Sequence, residues 1–398
     1  MKILWANANL LHPTTKGGQI RSLEMLQSLR RRHEIHYVSY ADPAQPEAAS
    51  RSGEYCFRLH VVERRPVAKN SIAFLGELAG GLFTAVPVAV SRHHSSRMQR
   101  LLENLLKNER FDRAVCDHLA PASHFGDLGV CLLFQHNVET AIWRRHEQQA
   151  EDPLRRYYFR LQADRMQDYE GRVCREAGQV VAVSPVDAEM MRQLFGISRV
   201  SEIATGVNLE YFAPPATAAG VADLVFIGSM DWMPNIHGVR FFVEQVLPLI
   251  RRKRPGCSLA IVGRAPAAAI VELSRRDPKI LVTGTVADVR PYLWGSLVSV
   301  VPLYIGGGTR LKIYESMAAR TPVVSTSIGA EGLCIRGETI RLAETPEEFA
   351  RQCLDLLEDS GARQRMAAAA WEMVAAQFTW EQVTRQFEQI LERGPGMN

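Results

Sequence analysis

Residues 298–326 read VSVVPLYIGGGTRLKIYESMAARTPVVST, and this stretch decides the fold. Its two apolar runs, 298–302 and 322–326, have the β-branched composition of buried strands. Three glycines follow the first run, and residues 310–319 have the apolar spacing of a helix. A strand, a crossover helix and a second strand form the unit from which parallel sheets are built.

The same alternation of strands and helices extends through both halves of the chain. Apolar runs that predict buried strands recur at 3–6, 33–40, 113–116, 130–134, 180–183, 224–228, 258–263 and 280–282. Helices are predicted after the first strand and over 140–178, 235–251, 346–357, 362–375 and 378–391. Pro214 and Pro215, followed by small residues to position 220, are typical of a linker. We therefore predict an α/β protein with two Rossmann-like, doubly wound lobes facing a cleft, the first over 1–210 and the second over 221–377.

Composition limits the classes of partner. The chain has 398 residues and a net charge of +4, from 47 Lys and Arg against 43 Asp and Glu. This excess does not indicate nucleic acid, but it suits an anionic small molecule or an anionic membrane surface. The seven cysteines form no CxxC pair and are expected to be reduced. The N-terminus lacks the pattern of a signal peptide, which predicts a cytoplasmic protein.

The glycine turn is also the sharpest candidate for a binding site. Residues 306–308 let the backbone approach a ligand closely, and the helix that follows offers unpaired N–H groups to phosphate oxygens. Arg310 and Lys312 place two cations at this helix N-terminus, which is unfavourable unless an anion binds there. Glu315, one turn later, can accept both hydroxyls of a ribose. The alternative is a flexible turn with an exposed Lys312–Glu315 pair.

These motifs resemble those of retaining glycosyltransferases with the GT-B fold, closest to the large family 4 group (glycosyl transferases group 1). In the second lobe the resemblance is carried by Gly228, WMPN at 232–235, Gly263-Arg264, DVRPY at 288–292, and 306–322. ATGVNLEYF at 204–212 is similar to the family's hinge motif. FTW at 378–380 is similar to the start of its terminal helix, which implies that 378–394 packs back on the N-terminal domain.

The resemblance implies a donor-binding site for a nucleotide-diphosphate-sugar. Its residues would be Gly17, Gly18, Gly228, Gly263, Arg264, Val286, Gly306, Gly307, Gly308, Thr309, Arg310, Leu311, Lys312 and Glu315. Gly17 and Gly18 would let the backbone approach the donor phosphate, with Lys16 as a possible helper; an ordinary strand-to-helix turn is the alternative. Glu315 would bind the ribose.

Two departures from the family pattern stand out. The family's usual pair of glutamates is separated by seven residues, and here the first falls on Gly307. The acidic contact to the sugar ring is therefore missing or replaced by backbone N–H groups. The family also carries an Arg and a Lys after the first strand of the donor lobe. This chain reads SMDWMPN at 229–235, so we expect Arg310 and Lys312 to hold the diphosphate instead.

Polar residues at strand ends are the candidates in the first lobe. The family often places a histidine facing the sugar after the strand that ends near Cys116, and the register leaves both Asp117 and His118 open. With Arg310 and Lys312, these two complete our catalytic candidates. His136, Asn137 and Glu139 are acceptor-side candidates. The alternative for this group is a structural histidine, helix capping and local hydrogen bonds.

The resemblance implies transfer with retention of configuration. No Asp-x-Asp pair follows a strand and no His/Cys cluster has metal spacing, so we expect the transfer to be metal-independent. No cofactor is expected. The implied acceptor is a glycan or a lipid-linked sugar, with peripheral membrane contact through the apolar segment 71–90 and the basic residues after it, or an ordinary core helix there. A nucleotide-sugar epimerase and a non-catalytic subunit of a polysaccharide assembly complex remain as alternatives.

Overall fold

The computed structural model describes the chain except residues 15–16, 66, 68–70, 72–75, 77–83, 151, 306–310, 334–336 and 395–398. The chain divides into two compact units. The first comprises Met1–Ile203 together with Val383–Asn398, and the second comprises Ala204–Gln382.

The first unit is built on a seven-stranded parallel sheet in the order β3-β2-β1-β4-β5-β6-β7. Its strands are β1 Lys2–Ala6, β2 Glu34–Ala41, β3 Arg58–Glu63, β4 Arg113–Asp117, β5 Cys131–Phe134, β6 Gln179–Ala182 and β7 Val200–Glu202. The central strands are almost wholly buried, as continuous apolar runs in a covered parallel sheet should be.

Helices connect these strands. They are α1 Gly17–Leu29, α2 Pro46–Ser50, α3 Val88–Ser91, α4 Ser96–Asn108, α5 Glu139–Gln149, α6 Pro153–Glu176 and α7 Pro185–Phe195. The predicted helix 140–178 is thus two helices, because Pro153 starts α6 and Asp152 caps it by accepting from Arg155 N–H. Ser184 caps α7, because its side chain accepts from the Asp187 N–H at 3.0 Å.

The second unit has a six-stranded parallel sheet in the order β10-β9-β8-β11-β12-β13. Its strands are β8 Ala222–Ile227, β9 Leu259–Val262, β10 Ile280–Val282, β11 Ser296–Val301, β12 Val323–Ser325 and β13 Arg341–Leu342. Its helices are α8 Leu209–Phe212, α9 Met233–Phe241, α10 Leu247–Lys253, α11 Ala268–Arg276, α12 Arg290–Trp294, α13 Leu311–Ala318, α14 Pro346–Glu358 and α15 Ser360–Gln377.

The predicted helix 235–251 is interrupted by a π-helical turn over Phe242–Val246, between α9 and α10. Pro248 lies in the first turn of α10 and has no N–H to donate to the preceding turn. The wider turn accommodates this missing bond, which local periodicity does not reveal.

The last helix, α16 Trp380–Arg393, contributes most of its residues to the first unit. Phe387 is fully buried and its ring lies 5.7 Å from that of Trp5 and 5.1 Å from that of Phe134. Glu388 accepts hydrogen bonds from Arg32 at 3.0 and 2.8 Å. Burying one large aromatic side chain contributes about 1.5–3 kcal/mol, so this helix is part of the first unit's core.

Strand order determines where ligands are expected. In the first sheet, connections leave β1 and β4 in opposite directions, and in the second sheet the same is true of β8 and β11. Ligands of doubly wound sheets bind outside the carboxyl ends of the strands at such switch points. The residues after Ala6 and at Asp117, and those after Ile227 and Val301, therefore occupy the expected binding edges.

Together these sheets confirm the predicted α/β class with two Rossmann-like units. Among the described residues, no helix has both the length and the apolar composition needed to span a membrane. The apolar segment 71–90 lies mostly outside the described residues.

Candidate functional site

Asp117 is the centre of a buried polar cluster in the first unit. It ends β4 and has no exposed surface. Its Oδ2 atom accepts hydrogen bonds from Trp5 Nε1 at 2.9 Å, Asn7 Nδ2 at 2.8 Å and Ser22 Oγ at 2.7 Å. Its Oδ1 atom accepts from His136 Nε2 at 2.8 Å. Four donors therefore hold this carboxylate in place.

The protonation state and tautomer of His136 follow from its two neighbours, Asp117 and Arg21. Burial opposes ionisation of Asp117, but His136, His118 and the hydrogen bonds to His136 and Ser22 hold the pKa of Asp117 well below its ordinary value. Burial, followed by the neighbouring His118, lowers the pKa of His136 to about 3. His136 is thus neutral and donates from Nε2 to Asp117. Its Nδ1 atom lies 3.4 Å from an Arg21 nitrogen, which can only donate.

Arg21 belongs to this site although sequence reasoning missed it. It lies on α1 and is only 3% exposed. Burial lowers the pKa of Arg21 to about 10, so the guanidinium stays charged at neutral pH. The sequence shows only an arginine inside an amphipathic helix, and nothing local distinguishes it from a solvated one.

His118 lies at the surface of the same cluster. Its backbone has φ of 73°, a left-handed conformation that is uncommon outside glycine. Its ring stacks on that of His136 with 4.0 Å between centroids, and its side chain is 35% exposed, against 0% for Asp117. A Cβ added at Gly18 would lie 3.3 Å from His118 Nε2, so a glycine at the start of α1 leaves room for the imidazole.

The structure brings Asp117, His118 and His136 close enough for metal binding, with ligand atoms within 4.8 Å of one another. The hydrogen bonds described above already occupy both oxygens of Asp117 and both ring nitrogens of His136. The arrangement therefore fits a hydrogen-bonded cluster with one accessible imidazole. His36, His60 and Glu109 form a second such group, where Lys2 Nζ donates to Glu109 at 2.6 Å.

The acceptor-side candidates lie at the start of α5. The Glu139 N–H donates to Glu170 Oε1 at 3.0 Å, and the Thr140 N–H donates to Oε2 at 2.8 Å. Burial raises the pKa of Glu170 to about 7. Burial also raises the pKa of Glu139, and a hydrogen bond from Asn137 opposes that shift. Local hydrogen bonding thus holds this segment, and Glu170 on α6 is a partner that sequence spacing did not indicate.

In the second unit, two glycines meet where β8 and β9 end. A Cβ on Gly263 would lie 1.8 Å from the carbonyl oxygen of Gly228, so no side chain fits there. The Gly228 N–H donates to the Val262 carbonyl at 3.0 Å. Arg264 follows, donating from Nε to Ser229 Oγ at 3.0 Å. Two of the predicted donor-site glycines and Arg264 therefore lie together at the carboxyl ends of β8 and β9.

Lys312 reaches this edge from α13. Its Nζ donates to Asn235 Oδ1 at 3.0 Å and lies 4.3 Å from the centre of the Phe226 ring. A Cβ on Gly228 would be only 2.8 Å from the Lys312 ammonium. Glu315 lies one turn along α13, and burial raises its pKa to about 7, with Lys312 opposing the shift. The structure thus groups Gly228, Gly263, Lys312 and Glu315.

The other predicted donor-site residues fall into two sets. Gly306, Gly307, Gly308, Thr309, Arg310 and Lys16 lie outside the described residues. Val286 packs against the core of the second unit, and Leu311 is the first residue of α13. Gly17 is the first residue of α1. Asn235, which positions Lys312, was read from the sequence only as part of a family motif.

The second unit matches a family model. Residues 222–359 match the model described as Glycosyl transferases group 1. Glycogen synthase from Mycobacterium tuberculosis is 24% identical over 234 residues, which are 56% of this chain and 55% of the relative. A protein from the cps region of Klebsiella pneumoniae is 22% identical over 40% of this chain and 44% of its own length. The chain thus aligns with only about half the length of these curated relatives.

Similarity to solved structures extends over the whole chain. HepE from Anabaena, in complex with UDP, has a TM-score of 0.69 at 13% identity, over 98% of this chain and 100% of HepE. Sucrose-phosphate synthase from Thermosynechococcus elongatus has a TM-score of 0.72 at 17% identity, over 98% of each chain. Residues 222–359 therefore match the glycosyl transferases group 1 model, and the chain has the same GT-B fold as these solved structures.

Proposed function

We propose that this protein transfers a sugar from a nucleotide-diphosphate-sugar to a glycan or lipid-linked acceptor, with retention of anomeric configuration. The observation that carries the proposal is the group at the carboxyl edge of the second sheet. There Lys312 and Glu315 lie within one turn of α13, and the Lys312 ammonium lies only 2.8 Å from where a Cβ on Gly228 would be. This arrangement offers a cation for a diphosphate and a carboxylate for ribose hydroxyls.

The comparisons support a uridine nucleotide as the first donor to test. HepE has been crystallised with UDP and with UDP-glucose. WaaG, a glycosyltransferase involved in lipopolysaccharide biosynthesis, has a TM-score of 0.65 at 14% identity. With the cps-region relative, this supports a role in polysaccharide or glycoconjugate biosynthesis. A cytoplasmic location with peripheral membrane contact is part of the proposal and rests on the sequence alone.

In the proposed reaction, the second unit binds the donor. Lys312, with Arg264 and Arg310, neutralises the diphosphate, and backbone N–H groups of 306–308 replace the missing acidic contact to the sugar. Negative charge grows on the β-phosphate as the sugar–phosphate bond breaks, and a positioned ammonium stabilises it. The acceptor hydroxyl attacks from the same face, and that phosphate takes its proton.

The first unit holds the acceptor in this proposal. We assign the contact with the reacting sugar to His118, because its imidazole is partly exposed while Asp117 and His136 are buried. Asp117 acts as a positioning residue through His136, against which His118 stacks. His136 is too buried to contact a sugar directly, so Asn137 and Glu139 remain the nearest acceptor-side candidates.

Thermal denaturation with UDP, UDP-glucose, GDP and ADP, with and without EDTA, tests donor binding. A nucleotide at 100 times its dissociation constant should stabilise the protein by about 2.7 kcal/mol. We expect one nucleotide class to raise Tm in EDTA, Lys312→Ala to abolish the rise, and Lys253→Ala, an exposed lysine on α10, to leave it intact. No shift with any nucleotide would overturn the donor site.

Product analysis separates transfer from the alternatives. A transferase should form a glycoside only with acceptor present, and NMR of its anomeric proton should show the donor's configuration. An epimerase would release free nucleotide without any acceptor. A non-catalytic subunit would bind donor without even slow hydrolysis.

A further inference from the structure

A cavity of about 290 Å³ in the first unit has no role in the site described above. It opens at the carboxyl ends of β1, β2 and β3. Its lining includes Asn9 and Gln19, Asp42 after β2, and Arg64 after β3. Arg92, at the end of α3, also lines the cavity. All these walls belong to the first unit.

The cavity has an excess of positive charge. Arg64 and Arg92 contribute two guanidinium groups, and Asp42 is the single carboxylate among the described lining residues. Within the described part of the chain, neither guanidinium has a carboxylate within salt-bridge distance. The other titratable lining groups are His12, His93 and Tyr40, and burial lowers the pKa of His12.

The position of Arg64 is fixed by its neighbours. Its guanidinium lies 5.0 Å from the centre of the Tyr40 ring and donates to the carbonyl of Arg92. Tyr40 is itself anchored, because its hydroxyl donates to the His93 carbonyl at 2.6 Å and lies 3.2 Å from His124 Nε2. A guanidinium held against an aromatic ring is preorganised for an anion.

The cavity adjoins the Asp117 cluster. Asn9, on its wall, donates from its backbone N–H to Asn7 Oδ1 at 3.0 Å, and Asn7 Nδ2 donates to Asp117. Gln19, also on the wall, follows Gly18, against which His118 is packed. If a molecule binds its anionic group in the cavity, the adjoining part of the same molecule would therefore lie close to His118.

We propose that this cavity binds an anionic group, a phosphate or a carboxylate, that the acceptor carries. That the bound molecule is the sugar acceptor rests on the proposed function. That the cavity binds an anion rests only on Arg64, Arg92 and the shape of the cavity. Arg64 and Arg92 bind the anion, and Asp42, which also lines the cavity, weakens that binding by repulsion.

Calorimetric titration tests the proposal with four probes: glucose 1-phosphate, glucuronate, glucose and geranyl phosphate. We expect the anionic probes to bind at least tenfold more tightly than glucose. Arg64→Gln and Arg92→Gln should each reduce that preference about tenfold, and Asp42→Asn should increase it. Arg65→Gln, an exposed neighbour of Arg64, is the matched control and should change nothing.

Each outcome decides a separate point. Equal binding of glucose and glucose 1-phosphate, no binding by any probe, or an equal effect of Arg64→Gln and Arg65→Gln would overturn the anion site. Tighter binding of geranyl phosphate than of glucose 1-phosphate would identify a lipid phosphate as the source, and the reverse order a soluble one. If the anion site is overturned in one of these ways but UDP still raises Tm, this inference fails and the proposed function stands. If anions bind the cavity but no nucleotide raises Tm, the proposed function fails instead.

Discussion

Replacement of Asp117 by asparagine tests the account of the buried cluster most directly. An amide oxygen at the Oδ2 position keeps the bonds from Trp5, Asn7 and Ser22. The amide NH₂ group then faces the Nε2–H of His136, where two donors meet. His136 cannot invert its tautomer, because Nδ1–H would point at the Arg21 guanidinium, which also only donates.

The cost follows from these unmatched donors. Each buried donor left without an acceptor costs about 1–3 kcal/mol, and the substitution creates two. We expect Asp117→Asn to lower the free energy of unfolding by about 3 kcal/mol. For a unit of roughly 200 residues this corresponds to a fall in Tm of about 6–12 °C.

Differential scanning calorimetry of the full chain measures this loss. Asp127→Asn is the matched control, since Asp127 is exposed and its carboxylate accepts from the Gly129 N–H at 2.8 Å. Its cost should stay within about 0.5 kcal/mol. If Asp117→Asn costs no more than Asp127→Asn, the reasoning about the tautomer and the buried charge is refuted.

The pH dependence of the same pair of proteins gives a second readout. The pKa of Asp117 is lowered in the folded state, so its stabilising effect is present above the ordinary value of 3.8 and is lost as pH falls below it. The stability difference between wild type and Asp117→Asn should therefore narrow below pH 4 and stay constant between pH 5 and 8.

Three further predictions concern other parts of the molecule. Because burial raises the pKa of Glu315 to about 7 and ribose hydroxyls need an ionised acceptor, nucleotide affinity should fall as pH drops through 7, and Glu315→Gln should remove that dependence in calorimetric titrations. Gly263→Ala places a methyl group 1.8 Å from the Gly228 oxygen and should cost about 3 kcal/mol or more in urea denaturation. Phe387→Ala should cost about 3–5 kcal/mol, read from the same urea curves.

Each of these tests has a control variant or a result that would contradict it. Gly256→Ala adds a methyl group whose nearest neighbour is the Lys279 ammonium at 4.0 Å, so it should be nearly neutral. Phe57 is 70% exposed, and Phe57→Ala should cost far less than Phe387→Ala. A pH profile for Glu315→Gln that still falls through 7 would assign the dependence to another group.

The elements found from the sequence are those whose burial is uniform along the chain. β1, β4 and β11 are continuous apolar runs and were predicted because both faces of each strand are covered. The edge strand β3 was missed, since Arg58, His60 and Glu63 interrupt its apolar pattern where the sheet meets solvent. Helix α4 was also missed, although Met98, Leu102 and Leu105 are buried at helical spacing.

The residues of the candidate site also divide into those that local sequence motifs indicated and those that they did not. Gly228, Gly263 and Lys312 were named from motifs, and the structure places both Gly263 and the Lys312 ammonium beside Gly228. Arg21 and Glu170 were not named, because each acts through a partner more than thirty residues away in sequence. Long-range pairing of polar groups depends on the completed fold and leaves no local pattern.

The division of the first unit into two chain segments has a consequence for biosynthesis. Met1–Ile203 leaves the ribosome well before Val383–Asn398, which supplies Phe387 to the core beside Trp5 and Phe134. Residues 204–382 are synthesised in between, which takes about 10–35 s at typical rates. During that interval the nascent first unit exposes the apolar groove that α16 later fills. A nascent chain stalled at residue 382 should therefore present this groove to chaperones, although every residue of its second unit has been synthesised.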